Sequence, residues 1–265
     1  MNRRFFLVSL VLSCLLLNGT VRSYDAQEKF EKNIPFEPGG YLSVTNQNGN
    51  IKVSSWSDHT VQIIAYKRVN NAGSSEAENW LDKIEIEINQ NDHEIEIKTH
   101  TPGQKESFLE KFFSKHNVSC SVEYEISVPE EIDLNLHSSN GNIDIRDIEG
   151  RVRLETTNGN IDAVGIKGLA RCETTNGSIH AEFEQVPDQD RMSFETTNGS
   201  IKIFLPENFG GDFDLNTVNG SINSDFPIHV EGRWGKKHFH GQVQDGQCSL
   251  DCATINGSID VLYIQ

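Results

Sequence analysis

The chain has 265 residues and a formal net charge of −16, from 39 acidic against 23 basic side chains, and 36% of its residues are hydrophobic. This length fits two average domains or one large all-β domain, so it does not by itself determine the number of domains. Phosphate binding needs clustered Lys and Arg, so the acidic balance argues against nucleic acid as a partner and against an anionic membrane surface. Apolar residues recur at regular intervals, which argues against a disordered chain.

The first 23 residues have the pattern of a secretory signal peptide with cleavage before Tyr24. Arg3 and Arg4 precede an apolar stretch over residues 5–17, and Val21-Arg22-Ser23 forms a small-x-small cleavage pattern. The apolar stretch is short for a bilayer span, and no later segment is apolar enough to make one. We therefore expect an exported protein, periplasmic or at the cell surface, with no transmembrane segment after cleavage.

Lipid attachment is the alternative interpretation of the same segment. Val11-Leu12-Ser13-Cys14 has the form of a bacterial lipoprotein cleavage box, which would place an acyl chain on Cys14. The apolar run continues over residues 15–17, where a polar tether is expected after an acylated cysteine. The signal peptide is therefore favoured over the lipoprotein anchor.

An internal repeat dominates the rest of the sequence. Asn-Gly followed by Asn or Ser and then Ile occurs seven times, with the Asn at 48, 140, 158, 176, 198, 219 and 256. The positions four and six residues before the Asn are apolar throughout, and most residues between them are polar. This alternation is typical of strands with one buried face. The residues expected to stack in columns include Asn140, Asn158, Asn176, Asn198, Asn219, Asn256, Ile143, Ile161, Ile179, Ile201, Ile222 and Ile259.

A unit of about 18–22 residues is too short for a crossover helix between parallel strands. It fits one coil of a β-solenoid, in which successive coils stack about 4.8 Å apart and equivalent side chains form ladders. We expect each corner Gly to supply a positive φ and each Asn amide to hydrogen-bond to the coils above and below. An antiparallel hairpin at each Asn-Gly is the structural alternative. It does not explain why the same residue types recur at the same place in every unit.

The sequence thus predicts an all-β fold: a β-solenoid with an N-terminal β-rich elaboration that contains a short helix. The predicted segments are a signal peptide at 1–23, a lead-in at 24–37, a β-rich part with an insertion at 38–133 and the Asn-Gly-repeat solenoid at 134–265. Within the third of these, strands are expected at 60–66, 84–88, 94–98 and 122–128, a helix at 75–82 with Ser75 as its N-cap, and a long excursion at 101–117. The gap between Asn219 and Asn256 is expected to hold about two units and a loop at 227–246.

The pattern resembles the bacterial putative-adhesin family of β-strand-repeat domains of unknown function, related to the toastrack domains of envelope-stress proteins. The resemblance rests on the run Gly40–Val53, on Ile126-Ser-Val-Pro129 leading into Leu134-Asn-Leu136, on the Thr-Thr-Asn-Gly repeats, and on the closing runs 241–246 and 254–259. It covers roughly residues 38–265. It implies a solenoid-like fold, an exported bacterial location and no catalytic residues.

The cysteines invite disulfides, because four remain after the signal peptide and the chain is exported. Cys172 and Cys252 share one inward column with at least two units expected between them, beyond the roughly 7 Å Cα limit of a bridge. Cys248 and Cys252 are four residues apart on one extended strand, again too far for a bridge. We therefore expect buried thiols at residues 172, 248 and 252, whereas Cys120 could pair only with Cys248, and the sequence leaves that pairing open. No Cys-x-x-Cys or matching His pair is present, so no metal site and no cofactor are predicted.

A binding site is expected where an aromatic and basic excursion interrupts the acidic body. Its residues are Trp234, Lys236, Lys237, His238 and His240. His238 and His240 lie on one face of a strand, an arrangement that suits a metal or an anion. A solvated loop around Trp234 and Phe239 is the simpler interpretation of the same segment.

Two sets of outward charges have both a structural and a functional interpretation. Glu155, Glu173 and Glu195 form a column of like charges, and three arginines at 153, 171 and 191 on the same face predict a surface ion-pair network of little energy. Asp144 and Asp162 stack on each other and suit calcium or the paired acids of a polysaccharide-cleaving enzyme. Their column gathers no third acid in register, which argues against catalysis.

The sequence therefore predicts an exported, non-enzymatic β-solenoid that acts as an adhesin-like interaction or scaffold module of the bacterial envelope. Its partner would be an envelope protein or a surface glycan. One alternative is an envelope-stress sensing or assembly module that pairs strands at the solenoid ends, with residues 259–264 as an uncapped terminal strand. A second alternative is a carbohydrate-active β-helix enzyme.

Overall fold

A computed structural model describes residues 24–72, 76–91, 93–102, 118–187, 189–227, 237–244 and 246–264. The predicted signal peptide, Cys14 and most of the 101–117 excursion lie outside these residues. Within them, no helix is long and apolar enough to cross a membrane.

The described residues form an all-β fold with one short helix, as the alternating sequence pattern predicts. The strands are Tyr24–Pro35 (β1), Gly40–Asn48 (β2), Ile51–Trp56 (β3), Thr60–Ala72 (β4), Glu85–Gln90 (β5), Glu94–His100 (β6), Ser119–Pro129 (β7), Ile132–Asn140 (β8), Ile143–Arg146 (β9), Glu149–Asn158 (β10), Ile161–Asn176 (β11), Ile179–Gln185 (β12), Gln189–Asn198 (β13), Ile201–Leu205 (β14), Gly211–Asn219 (β15), Ile222–Ser224 (β16), His238–Val243 (β17), Gln247–Asn256 (β18) and Ile259–Tyr263 (β19), and the helix is Ala77–Leu81 (α1).

Each Asn-Gly step separates two strands that belong to different rows of hydrogen-bonded strands. The row before the Asn, here called face A, has the order β5-β6-β2-β8-β10-β11-β13-β18-β15-β17. The row after the Gly, face B, has the order β1-β4-β7-β3-β9-β11-β12-β14-β19-β16. The long strand β11 contributes its first half to face B and its second half to face A.

The repeats pair in parallel and in register, so that like residues lie beside like. In face A, Asn158 is the partner of Asn176, and in face B, Ile161 is the partner of Ile179. Antiparallel pairs occur among the described strands only toward the ends of the two rows. A hairpin at the Asn-Gly steps, the alternative left open by the sequence, is therefore not what these strands form.

The last repeat of the chain does not lie at the end of the stack. Strand β18 lies between β13 and β15, and β19 lies between β14 and β16. The ladder asparagines at this end therefore follow the spatial order 198, 256, 219. The expected uncapped terminal strand at residues 259–264 is thus wrong, because β19 has a neighbour on each side.

The gap between Asn219 and Asn256 also differs from the expectation of about two units. Besides β16 and β18, its described residues contain β17, a strand of face A that pairs antiparallel with β15. This strand occupies part of the segment that the sequence assigned to a loop. An alternating His-Phe-His pattern with Phe239 buried explains why the segment forms a strand here.

The core lies between the two faces and is filled by the apolar columns. One inward column consists of Ile51, Ile143, Ile161, Ile179, Ile201 and Ile259, all at most 1% exposed. Ile222 continues it but is only half-buried, because β19 is the sole described neighbour of its strand. Burial of one such side chain contributes about 1.5–3 kcal/mol, so the column is a main source of stability.

The two ends of the core are closed by different elements. At the N-terminal end, α1 buries Ala77 and Leu81, and the residue before it, Glu76, makes no side-chain cap; the predicted cap Ser75 lies outside the described residues. At the other end, Phe209, Phe213 and Phe226 pack together, and the Phe226 ring lies 4.4 Å from that of Tyr263. These aromatic side chains shield the last apolar positions of the stack.

Candidate functional site

The Asn side chains of the seven repeats form one continuous hydrogen-bonded ladder along a corner of the stack. In every repeat but the first, Nδ2 donates to the Oδ1 of the Asn in the neighbouring repeat at 2.8–2.9 Å, whereas Asn48 Nδ2 donates to the Cys120 carbonyl at 3.3 Å. The donor–acceptor pairs are Asn140 to Asn48, Asn158 to Asn140, Asn176 to Asn158, Asn198 to Asn176, Asn256 to Asn198 and Asn219 to Asn256. The amides thus join every repeat to the next along this corner.

A second set of bonds at the corner comes from the Thr two residues before the Asn. Thr174 Oγ1 donates to the carbonyl of Gly159 at 2.9 Å, and Thr196 Oγ1 does the same to Gly177. These hydroxyls are buried and satisfy carbonyls that the strands leave open. The sequence shows Thr or Ser at this position in most repeats, but the spacing alone does not reveal its acceptor.

The corner glycines serve close stacking, and the expectation of a positive φ at each of them is wrong. Of the seven, only Gly49 has a φ in the left-handed region, at 118°. A Cβ on Gly177 would lie 1.9 Å from the carbonyl oxygen of Gly159, and one on Gly159 would lie 2.1 Å from that of Gly141. Any side chain would therefore push neighbouring repeats apart.

The predicted binding residues lie at the far end of face A, in part beyond the described residues. His238 and His240 both face outward from β17, opposite Asn216 and Asp214 of β15. His238 Nδ1 contacts Asn216 Oδ1, and His240 Nδ1 lies 3.9 Å from Asp214 Oδ2. Trp234 and Lys236 lie outside the described residues.

Two carboxylates lie across the neighbouring strands from His240. Asp214 is the register partner of Asp251 in β18, and Asp251 accepts a hydrogen bond of 2.5 Å from Arg191 Nε. Lys237 contributes a backbone carbonyl that accepts from Thr217 N at 2.8 Å. Among the described residues, no group of three or more His, Cys, Asp or Glu is arranged to hold a metal ion. The patch therefore offers charges and hydrogen-bonding groups to a partner.

A second cluster of charged side chains lies on the outer surface of face B. His180 Nδ1 lies 2.7 Å from Asp162 Oδ1, and its Nε2 lies 3.0 Å from Glu182 Oε1. Arg146 Nη2 pairs with the other oxygen of Asp162. Because both ring nitrogens of His180 face carboxylate oxygens, only the doubly protonated ring can donate to both. The Phe204 ring lies edge-on to this imidazole at 5.6 Å.

Asp144 lies beside Asp162 in this cluster, and the pKa values of the two carboxyl groups are shifted in opposite directions. Burial raises the pKa of Asp144, and the neighbouring charge of Asp162 raises it further. Burial also acts to raise the pKa of Asp162, but hydrogen bonds from Arg146 and His180 outweigh burial and hold that pKa below its usual value. A pair of acids with divergent pKa values is the arrangement used in acid–base catalysis. Here, however, Asp162 is already engaged by Arg146 and His180.

The charged column of face A forms fewer ion pairs than the sequence predicted. Glu155, Glu173 and Glu195 are register partners, as expected. Arg153 Nε donates to Glu155 on its own strand at 2.7 Å, whereas Arg191 pairs with an acid outside this column. Among the described residues, no ion pair involves Arg171 or Glu173. The expected network is therefore limited to isolated contacts.

The four described cysteines are buried free thiols. Cys172 and Cys252 lie in one column with only Phe194 between them, one unit fewer than expected, because β18 lies beside β13. Burial raises the pKa of both thiols, and it raises that of Cys248 to about 11. Protonated, buried thiols act as small apolar side chains.

A cleft of about 230 Å³ lies where the chain leaves β12 and β14. Its lining comes from residues 184–187 and from Pro206, Asn208, Phe209 and Gly210. No sequence motif pointed to it, because its walls are formed by two turns that are distant in sequence.

The family model for Toastrack DUF4097 matches residues 33–262. The chain belongs to this family. The matched range contains all seven Asn-Gly steps and, apart from most of β1, the strands of both faces, so the resemblance inferred from the repeat is confirmed. No curated protein matches this Toastrack chain in sequence.

Several solved structures are similar to this Toastrack chain. A putative cell adhesion protein from Clostridium sporogenes ATCC 15579 has 16% identity and a TM-score of 0.47, covering 89% of this chain and 100% of its own. A putative adhesin from Bacteroides fragilis NCTC 9343 has 12% identity and a TM-score of 0.33, and a putative lipid binding protein from Parabacteroides distasonis ATCC 8503 has 12% and 0.34. Each of these two covers 88% of this chain and 96% of its own.

Proposed function

We propose that this Toastrack protein is an exported, non-enzymatic β-solenoid that serves as an adhesin-like interaction or scaffold module of the bacterial envelope. The observation that carries the proposal is the pair of in-register faces joined along the Asn-Gly corner. Every repeat contributes one strand to each face, and backbone, amide and hydroxyl hydrogen bonds join it to the next. Such a stack gives a long, rigid body whose outward side chains are free to vary.

The partner is an envelope protein or a surface glycan, and its first contact surface is the patch around His238 and His240. This assignment is supported by the alternation of β17, which sends both imidazoles outward. His238 lies opposite Asn216, and His240 lies opposite Asp214, with Asp251 one strand further. Imidazoles and carboxylates together present donors and acceptors, which suit the hydroxyl groups of a glycan or a polar protein surface. Trp234, Lys236 and Lys237 belong to the same proposed contact surface.

Capture from native envelopes tests this assignment. The mature chain, residues 24–265, is tagged and compared with a variant that carries His238→Ala and His240→Ala, and bound proteins and glycans are identified. The matched control is His137→Ala, an outward histidine of face A in the Asn140 repeat. We expect the double variant to lose a partner that the wild type and the control both retain. A partner retained by all three would place the contact elsewhere.

A carbohydrate-active enzyme is the second candidate, favoured by the divergent pKa values of Asp144 and Asp162. Against it, both acids lie on the outer surface of a sheet, and Asp162 is held by Arg146 and His180. A glycan-cleavage screen decides between the two. The first proposal expects no turnover, whereas cleavage that is abolished by Asp144→Asn together with Asp162→Asn would replace it with the enzyme.

A further inference from the structure

Backbone hydrogen bonding of the corner glycines differs between the repeats. In five repeats the glycine N–H donates to the backbone carbonyl of the ladder Asn in the next repeat of the stack, at 2.8–3.1 Å. The donor–acceptor pairs are Gly49 to Asn140, Gly141 to Asn158, Gly159 to Asn176, Gly177 to Asn198 and Gly199 to Asn256. The stack therefore engages the backbone nitrogen at each of these five Asn-Gly steps.

The glycine of the Asn256 repeat lacks this bond, although a repeat lies on each side of it. That repeat lies between those of Asn198 and Asn219. The equivalent acceptor for Gly257 N–H is the backbone carbonyl of Asn219, but no hydrogen bond joins the two, and this N–H has no other acceptor in the described part of the chain. Two residues later Ile259 N donates to the Asn219 repeat at 2.9 Å, so the missing bond is local to the Asn-Gly step.

An Asn that is followed by Gly can lose its side-chain amide without an enzyme. The deprotonated backbone nitrogen of the Gly attacks Cγ of the Asn, the new N–Cγ bond closes a five-membered succinimide ring, and Nδ2 leaves as ammonia. Water then opens the ring at either of its two carbonyls and yields an aspartate or an isoaspartate. The net change is from amide and water to carboxylate and ammonium, with no change of oxidation state. Gly favours the attack because it has no side chain to shield its nitrogen.

A hydrogen bond from the glycine N–H opposes the first step of this reaction. In the five bonded repeats, a nitrogen that lost its proton would face a carbonyl oxygen, so the bond favours the neutral and unreactive form. One hydrogen bond of this kind slows the step about threefold to tenfold. Gly257 N is not restrained in this way, whereas the side-chain amide of Asn256 is bonded on both sides, as in the inner repeats.

We propose that Asn256 is a site of spontaneous deamidation in the folded protein, and that the five bonded steps from Asn48 to Asn198 are protected from the same reaction. The local sequence does not separate these sites, because Asn176, Asn198 and Asn256 share the motif Asn-Gly-Ser-Ile. A difference in rate among these three therefore comes from the hydrogen bonds of the stack.

The product changes the ladder at the repeat on which the Asn219 repeat rests. Asn256 Nδ2 donates to Asn198 Oδ1 at 2.8 Å, and a carboxylate has no proton to donate to that oxygen. The bond accepted from Asn219 Nδ2 is compatible with a carboxylate. An isoaspartate also adds one backbone atom before Gly257, which shifts β19 relative to its neighbours. Deamidation here thus loosens the end of the stack and adds a negative charge to aged copies.

Timed incubation of the mature chain, residues 24–265, at mildly alkaline pH tests the proposal. Digestion in acid followed by chromatography and mass spectrometry measures amide loss at each ladder Asn and separates aspartate from isoaspartate. We expect Asn256 to react about three to ten times faster than Asn176 and Asn198, which are matched controls within the same chain. In concentrated urea the three sites should react at equal rates, because unfolding removes the bonds that distinguish them.

Equal rates at the three sites in the folded chain would overturn the proposal. So would a faster reaction at Asn256 that persists in urea, because its cause would be the sequence and not the stack. Asn256→Asp reproduces one product, and we expect its urea midpoint to lie below that of the wild type. An unchanged midpoint would contradict the loosening of the stack. All of these outcomes are separate from the binding-module assignment, which partner capture tests.

Discussion

The same Asn-Gly motif occurs in two regions that differ in how their repeats stack. The inner repeats are those of Asn140, Asn158 and Asn176, and the end repeats are those of Asn256 and Asn219. The inner repeats stack in chain order, with polar residues before the ladder Asn. The end repeats stack out of chain order and carry Val218 and Ile255 at that position. The comparison shows that the Asn-Gly motif specifies the register between neighbouring repeats, while other residues specify which repeats become neighbours.

The largest difference between the two regions is expected from a charge in the Ile column. Ile161→Asp places a carboxylate in the fully buried inner part, where the loss of burial alone costs about 1.5–3 kcal/mol and the charge adds to it. We expect it to unfold the central repeats. Ile222→Asp, in the half-buried end position, should leave the protein folded. Circular dichroism and urea denaturation measure both, and equal losses would contradict the assignment of an inner and an end position.

A smaller difference is expected from the corner glycines. Gly177→Ala inserts a methyl group against the Gly159 carbonyl with repeats packed on both sides, at a cost of about 3 kcal/mol. Gly220→Ala meets the Gly257 carbonyl at the same 1.9 Å. At this corner the end repeat has a described neighbour on one side only and can move away from it, so we expect about 1 kcal/mol there. Urea midpoints at constant m-value provide the measurement, and an equally costly Gly220→Ala would show that the end repeat is held as firmly as the inner ones.

These two regions also show how far the sequence carries the prediction of the fold. The columns and the Asn ladder follow from spacing, because parallel stacking in register puts like residues side by side. The stacking order does not follow, since Phe194, Cys252 and Leu215 are all apolar and accept one another in any order. The spacing also does not tell whether the corner glycines serve a positive φ or a close approach of neighbouring repeats, because both requirements select Gly.

The candidate site was predictable to a similar extent. The outward placement of His238 and His240 follows from alternation along one strand. Their partners Asn216 and Asp214 do not follow, because the antiparallel register of β17 depends on tertiary packing. The contact of Asp162 with His180 follows from the column, whereas the reach of Arg146 from the neighbouring strand requires side-chain geometry.

Removal of one ladder amide should have a modest effect that again differs between the regions. Asn176→Ala removes one donated and one accepted hydrogen bond between side chains, each worth about 1 kcal/mol or less at an exposed position. Asn219→Ala removes only a donated one among the described contacts. We expect the inner variant to lose about twice as much stability as the end variant in denaturant titrations. A larger loss for Asn219→Ala would mean that the end repeat has a further partner.

The smallest effect is expected from Asp144 and Asp162 of the inner repeats, at a position that Asn223 and Asp260 occupy in the end repeats. The lowered pKa of Asp162 stabilises the folded state above the unfolded pKa, and this contribution is lost as pH falls through the folded value. The raised pKa of Asp144 has the opposite effect on stability, because ionisation of this carboxyl group between acid and neutral pH destabilises the folded state.

Asp162→Asn should therefore lower stability at pH 7, and Asp144→Asn should maintain or raise it. Both effects should stay within about 1 kcal/mol because the groups are partly exposed and screened. The Asp144 effect should vanish near pH 3, where that carboxyl group is protonated, whereas the Asp162 effect should shrink only as pH falls through its lowered pKa. The double variant should remain folded. Melting temperatures across pH 3–7 measure the two curves, and curves that shift in the same direction would contradict the opposite pKa changes.

The insertion of the last repeat between two earlier ones constrains the order of events during synthesis. Repeats up to Asn198 can add to the stack as each leaves the ribosome. The Asn219 repeat cannot add in turn, because β15 and β16 rest on β18 and β19, which are made later. At about 5–20 residues per second, some 40 residues must wait for several seconds with their apolar side chains exposed. Completion of the end repeats therefore depends on the arrival of the last residues, and a chaperone that binds residues 206–244 during this interval would protect the nascent protein.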